Sequence, residues 1–260
     1  MDFRILSSFG INSINKSKFQ PLKGHNVTFV GQNADDRVEI NSGGKYLSES
    51  SIRQMIQNNP KIQEIIGDVN PNLELNLDGL AKIQQGHSSD MKRISSQIID
   101  NLPQSMQSNI NKEAIFEAAT LHDIGKVLIP SEILNKPGKL TNQEHVIMEK
   151  HSTLGYELLK NTNVDEYVKK LVKYHHQNAN LTGYPKIDDE FEPDINLQIL
   201  SLADTYSALT EKRPYKEALS PKQALTIIYH QKIKSGEIHP FIFNALIKSV
   251  NQVPAFSNIN

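Results

Sequence analysis

From about residue 78 onward, apolar residues return at spacings of three and four almost throughout, and this helical period constrains the chain more than any other feature. Leu80, Ile83, His87, Met91, Ile94 and Ile98 trace one face of a long helix. A second helix is expected over 111–122, carrying Ile115, Ala118 and Ala119. A third opens at Thr141-Asn-Gln-Glu144, a capping box, and aligns Met148, His151, Gly155 and Leu158. A fourth runs over 164–176 through Val168, Leu171 and Val172, and a fifth over 194–210 with Leu197, Leu200, Asp204 and Ala208 aligned. Ser220-Pro221 reads as an N-cap followed by a first-turn proline, and 241–250 as a last helix. A mainly α, bundle-like body follows from this pattern.

The first 70 residues read differently. Val27 to Val30 favours a strand, Arg37 to Ile40 alternates at period two, and GQNADD between them suits a hairpin. A short helix should follow Ser48 as N-cap and run through Ile52, Met55 and Ile56 to a stop at Asn59-Pro60. The stretch IIGDVNPNLELNLDG then reads as a linker. The expected organisation is a small α+β N-terminal unit, 1–72, and a helical unit, 73–260.

Composition narrows the functional classes. The net charge of −1 gives no global field to draw polymeric nucleic acid or an anionic membrane, so phosphate recognition must rest on a few local cations. There is no cysteine, which removes disulfides and thiolate metal sites. No run approaches the length needed to span a bilayer, and MDFRILSSFG makes a poor signal peptide. The expectation is a cytoplasmic protein without membrane insertion; whether it forms a homodimer is left open.

The histidines carry the chemistry. His87, His122, His151 and the pair His175-His176 lie on or beside the apolar stripes of different helices, while Asp123 follows His122 and Asp204 sits on an inward stripe. A lone inward histidine is more often a hydrogen-bonded core residue than a ligand. An unpaired buried carboxylate, by contrast, costs several kcal/mol. Seven such groups converging from five segments match the way helix bundles build metal sites. Imidazole and carboxylate donors suit iron, manganese, nickel, cobalt or zinc, and seven exceed what one ion needs. Two ions sharing Asp123 as a bridge follow. His25, His145, His230 and His239 fit no cluster and read as solvated or packing residues.

Leu121-His122-Asp123-Ile124-Gly125-Lys126 resembles the signature of HD-domain phosphohydrolases. Followed in order by IPSEILNKPGKLT, His151, HHQNANLTGYP and SLADTYSALTEKRPYKEA, it resembles the HD-GYP subfamily, whose members hydrolyse cyclic dinucleotides, chiefly cyclic di-GMP. The resemblance covers about residues 80–250. It implies an HD-type helical bundle with two divalent metal ions, iron or manganese foremost. His87, His122, Asp123 and Asp204 would hold one ion, and Asp123, His151, His175 and His176 the other. It implies Lys126 beside the scissile phosphate, a Gly183-Tyr184-Pro185 loop lining the nucleotide, and Arg213 and Lys216 on phosphate or guanine. The expected reaction is attack of a two-metal-activated water on the phosphodiester.

Four positions depart from the family pattern. Ile83 stands where three-metal members carry Glu, which favours two ions over three. Gln177 replaces the usual acid after the histidine pair, and Asn180-Leu181 replaces Asp-Gly before TGYP. These bear on efficiency and base selectivity. They keep two alternatives in view: a weak or inactive cyclic-dinucleotide-binding signalling protein, and a phosphohydrolase for another nucleotide.

Overall fold

The structure is a computed structural model that describes residues 28–30, 37–40, 45–47, 49–211 and 217–252, with side chains over 49–77, 87–211 and 217–251. Three short strands, β1 (Thr28–Val30), β2 (Arg37–Ile40) and β3 (Lys45–Leu47), form an antiparallel sheet in sequence order, with Phe29 opposite Val38 and Glu39 opposite Tyr46. The first two match the expected hairpin. Ser48, expected as an N-cap, lies outside the described residues.

Helices follow. They are α1 (Glu49–Gln57), α2 (Pro60–Val69), α3 (Leu77–Asn101), the short α4 (Gln104–Gln107), α5 (Lys112–Leu121) and α6 (Ser131–Leu134). The chain continues through α7 (Asn142–Leu159), α8 (Glu166–Tyr174), α9 (Ile195–Thr210), α10 (Pro221–Ile228) and α11 (Pro240–Gln252). A 3-10 turn, Ile124–Leu128, follows α5, and a π-helical turn, Tyr229–Ile233, follows α10. The expected capping box forms between Thr141 and Glu144, and Ser220, expected as an N-cap, also makes one with Gln223.

The first helix stops just before Asn59-Pro60 as expected, but a second helix, not anticipated from the sequence, begins there. Asn59 caps α2 by accepting from the Lys61 and Ile62 amides, and Pro60 takes the first turn, where its missing N–H costs nothing. Ile62, Ile65, Ile66 and Val69 then close an apolar stripe, so the first third of the supposed linker belongs to α2. This stripe packs on α7, and the Asn59 amide donates to the buried carboxylate of Glu157 at 2.9 Å. The remaining connector is tied to the body as well. The Asn70 side chain donates to Leu128 O, and the Asn76 amide to Val127 O, both in or beside the 3-10 turn.

The body is layered around α3, which packs against α5, α9 and α11; α7 packs against the 3-10 turn and α8. One core joins Met91, Ile94 and Ile98 of α3 to Ile115 and Leu121 of α5, Leu154 and Leu158 of α7, and Leu197 and Leu200 of α9. Its polar centre is where the seven candidate ligands meet.

Candidate metal centre

Each ligand reaches that centre from a defined place. His87 projects from the middle of α3, Asp204 from α9 and His151 from the middle of α7. His122 and His175 occupy the C-terminal ends of α5 and α8, so their rings turn inward just as the helices stop. Asp123 follows at the mouth of the 3-10 turn. Gly125 in that turn is required by close approach: a Cβ there would lie 1.9 Å from His151 O and 2.5 Å from the Gly155 amide nitrogen. Glycine thus lets the Asp123 turn press against α7 at the level of His151.

The hydrogen bonds on the far side of each ring fix which nitrogen faces inward. Nδ1 of His122 lies 3.0 Å from Ala119 O, that of His151 2.7 Å from Met148 O, and that of His175 2.7 Å from Val172 O. A carbonyl can only accept, so each Nδ1 carries a proton, and in the neutral ring Nε2 is the lone-pair nitrogen that faces the centre. His87 turns Nδ1 to the buried Ser207 hydroxyl at 3.0 Å and Nε2 to Asp204 Oδ1 at 3.0 Å. Orientation of a ligating imidazole through its other nitrogen is the usual companion of metal binding.

The inward atoms form two groups joined by one carboxylate. His122 Nε2 lies 3.3 Å from Asp123 Oδ2 and 4.0 Å from Asp204 Oδ1. Asp123 Oδ1 faces the other way, 3.4 Å from His151 Nε2, which is itself 3.2 Å from His175 Nε2. The His176 ring is 4.0 Å from that of His175. His87, His122 and Asp123 make one cluster with ligand atoms within 4.8 Å of one another, and His151, His175 and His176 make a second. Ligands bound to one ion at roughly 2.0–2.2 Å stand about 3.0–3.5 Å apart, and the His87–Asp204, His122–Asp123, His151–Asp123 and His151–His175 pairs fall in that range. Two buried lone pairs facing each other, as in His151 and His175, repel unless a cation lies between them. His122 Nε2 is likewise buried without an aligned hydrogen-bond partner, although Asp123 is close. The donor set therefore fits divalent metal.

The electrostatics agree. Burial, together with neighbouring histidines, holds His175 well below the ordinary imidazole value. Burial lowers His151 to about 3 and His176 to about 4 against the pull of the carboxylates, so both stay neutral and free to ligate. In His122, burial opposes charge, but Asp123 and Asp204 outweigh it and raise the pKa. For Asp123 and Asp204 burial favours the neutral acid; the surrounding histidines, with Lys126 beside Asp123, override it and keep both ionised.

Beside this centre lie those of the expected substrate-binding residues that the structure describes. Lys126 Nζ stands 2.6 Å from Asp123 Oδ2 and is partly exposed. The Tyr184 ring lies 4.7 Å from the His176 ring, tilted by 31°. Gly183 packs so closely that a Cβ would fall 2.1 Å from His176 O, and Pro185 follows in the same loop. Arg213 and Lys216 lie outside the described residues, as does the side chain of Ile83. His145 and His230 are exposed and His239 spends Nδ1 on the Phe241 amide, so none joins the centre; His25 is outside the described residues. Ser207, which the sequence reading gave no role, supports His87, and Gln177, noted only as a departure, bonds the loop that carries Tyr184.

Residues 77–234 match the HD domain family. The chain is 28% identical over 158 residues to 3'3'-cGAMP-specific phosphodiesterase 1 of Vibrio cholerae, covering 60% of this chain and 36% of that protein. It is 42% identical over 118 residues to the cyclic di-GMP phosphodiesterase response regulator RpfG of Xanthomonas campestris pv. campestris, covering 44% of this chain and 31% of that one. The match thus spans about a third of the length of these curated relatives. Among solved structures, the HDG"Y"P protein Bd1817 from Bdellovibrio bacteriovorus shares the fold, with a TM-score of 0.52 at 15% identity over 76% of this chain and 60% of that one.

Proposed function

The chain belongs to the HD domain family, in its HD-GYP subfamily, and from that premise we propose that it is a metal-dependent phosphodiesterase hydrolysing cyclic dinucleotides, cyclic di-GMP foremost. The observation that carries this reading is the convergence of bare imidazole nitrogens on two ionised carboxylates, with the two oxygens of Asp123 facing opposite clusters.

In this reading His87, His122, Asp123 and Asp204 would hold one divalent ion, and Asp123, His151, His175 and His176 a second; iron and manganese suit the donors. Such ions supply Lewis-acid chemistry, lowering the pKa of water and neutralising phosphoryl oxygens. The rest falls to the chain. The Nδ1 bonds fix the tautomer and aim the ligating nitrogens, while burial keeps His151, His175 and His176 neutral. The Lys126 ammonium, beside the bridging carboxylate, is positioned to meet negative charge developing on the phosphoryl group or the departing 3′-oxygen. Tyr184, flanked by Gly183 and Pro185, forms a wall beside His176 for a nucleotide. Arg213 and Lys216 would hold phosphate or base.

The same proposal divides the chain into an N-terminal unit, 1–72, and a phosphohydrolase unit, 73–260, with α1 and α2 as the contact between them. It carries a cytoplasmic setting, and among the described residues no helix is long and apolar enough to cross a membrane.

The test is turnover. Purified protein loaded with manganese or ferrous iron is incubated with cyclic di-GMP, 3'3'-cGAMP and cyclic di-AMP, and products are resolved by chromatography. The linear dinucleotide should form and a chelator should stop it. Tight binding without any product would replace this reading with that of a non-hydrolysing sensor.

A further inference from the structure

Gln177 follows the His175-His176 pair directly and is buried. Its side-chain amide makes three hydrogen bonds into the loop that carries Tyr184. Oε1 accepts from the Gly183 amide at 2.7 Å and the Asn178 amide at 3.0 Å, and Nε2 donates to Pro185 O at 2.8 Å. Both chain neighbours of Tyr184 are therefore gripped by one side chain, while the Tyr184 amide donates to His176 O at 3.3 Å. The result is the tilted contact between the Tyr184 and His176 rings.

The chemistry of the grip requires an amide. A carboxylate at this position could accept from Asn178 and Gly183 but has no hydrogen for Pro185 O, and its second oxygen would face that carbonyl with like charge. An apolar side chain of equal length would satisfy none of the three and leave Gly183 N–H and Pro185 O unpaired. None of the three bonds involves a ligand nitrogen, so the grip can be removed without changing the donor set.

Building on the function proposed above, we infer that Gln177 is a positioning residue for substrate: it fixes Tyr184 at the mouth of the metal centre and so governs affinity for the cyclic dinucleotide. Gln177 in place of the acid usual in the family is then an alternative way of closing the loop.

The experiment compares wild type, Gln177→Met, Gln177→Glu, Tyr184→Ala and Gln177→Met/Tyr184→Ala, each loaded with manganese. Readouts are kcat, KM, bound metal and thermal midpoint. Both Gln177 variants should raise KM roughly five- to thirtyfold, Gln177→Glu by losing the bond to Pro185 O and Gln177→Met by losing all three, while kcat stays within about twofold and metal content is unchanged. In the Tyr184→Ala background the Gln177→Met change should add little to KM, because the residue acts through Tyr184. If Gln177→Met does not fold, Gln177→Glu carries the comparison. An unchanged KM, loss of metal, or an effect that simply adds to that of Tyr184→Ala overturns the inference. A wild-type protein that neither binds nor cleaves any cyclic dinucleotide instead removes the reading on which it rests.

Discussion

Ser207 and His87 stand 120 positions apart in the chain, and the Ser207 hydroxyl lies 3.0 Å from His87 Nδ1 in a fully buried contact. His122, His151 and His175 rest the same nitrogen on backbone carbonyls, so His87 takes from a side chain what they take from the main chain. Ser207→Ala should therefore leave the fold intact and weaken metal binding about 10- to 100-fold, the usual effect of removing such a support. Competition against a chelator of known affinity reads this directly. Unchanged affinity would mean that Ser207 only fills space.

Gly125→Ala should be severe. Its new methyl would meet His151 O at 1.9 Å and the Gly155 nitrogen at 2.5 Å, both backbone atoms that cannot swing aside. The cost should reach at least the upper end of the ~1–3 kcal/mol typical of overpacking, read from urea unfolding, and metal binding should fall with it as α7 and the Asp123 turn separate. A stability equal to wild type would contradict the close packing described.

Acid should weaken the entry to α7 only as pH falls below the ordinary carboxylate value. Glu144 is bonded by Lys136 and by the Thr141 amide, which hold its carboxyl at about 2 instead of the ordinary 4.5. An acid with a lower pKa when folded favours the folded state fully above its unfolded value, and that contribution disappears as pH falls through the folded one. Lys136→Met should thus be less stable than wild type at pH 6, with the gap narrowing toward pH 2.5. Urea midpoints across that range give the answer, and a gap independent of pH would show that the pair contributes nothing through charge.

Lys126 and Arg213 should separate chemistry from affinity. Lys126→Ala should lower kcat on the order of 10²-fold with metal retained, as expected for a cation meeting charge that develops in the transition state. Arg213→Ala should raise KM roughly 10- to 150-fold with metal unchanged, the loss of one charge-assisted contact. Metal loss in Arg213→Ala, or full kcat in Lys126→Ala, would end this division of labour.

Much of this was legible in one dimension because the bundle repeats a period the sequence also repeats. His87, Met91 and Ile94 share a stripe whether read as letters or as a helix, and so do Leu200, Asp204 and Ala208. Asn59-Pro60 was read only as a stop because a proline after a polar residue can end one helix or begin the next, and here it does both. The Ile62, Ile65, Ile66 and Val69 stripe beyond it, like the one beyond Ser220-Pro221, was the signal that decides. Ser207 was beyond reach, since no local pattern ties it to a residue on another helix. Gln177 was noticed only as a departure; its role depends on a loop that folds back over it, and hydrogen bonds of that kind leave no period.

The central claim is that Asp123 bridges two ions, and elemental analysis of wild type beside Asp123→Ala tests it most directly. Wild type prepared without oxygen should hold close to two metal equivalents per chain. The variant should retain its helical content by circular dichroism and hold markedly less than one, because both clusters lose a ligand at once. Two equivalents in the variant, or a reproducible three in wild type, would contradict the account.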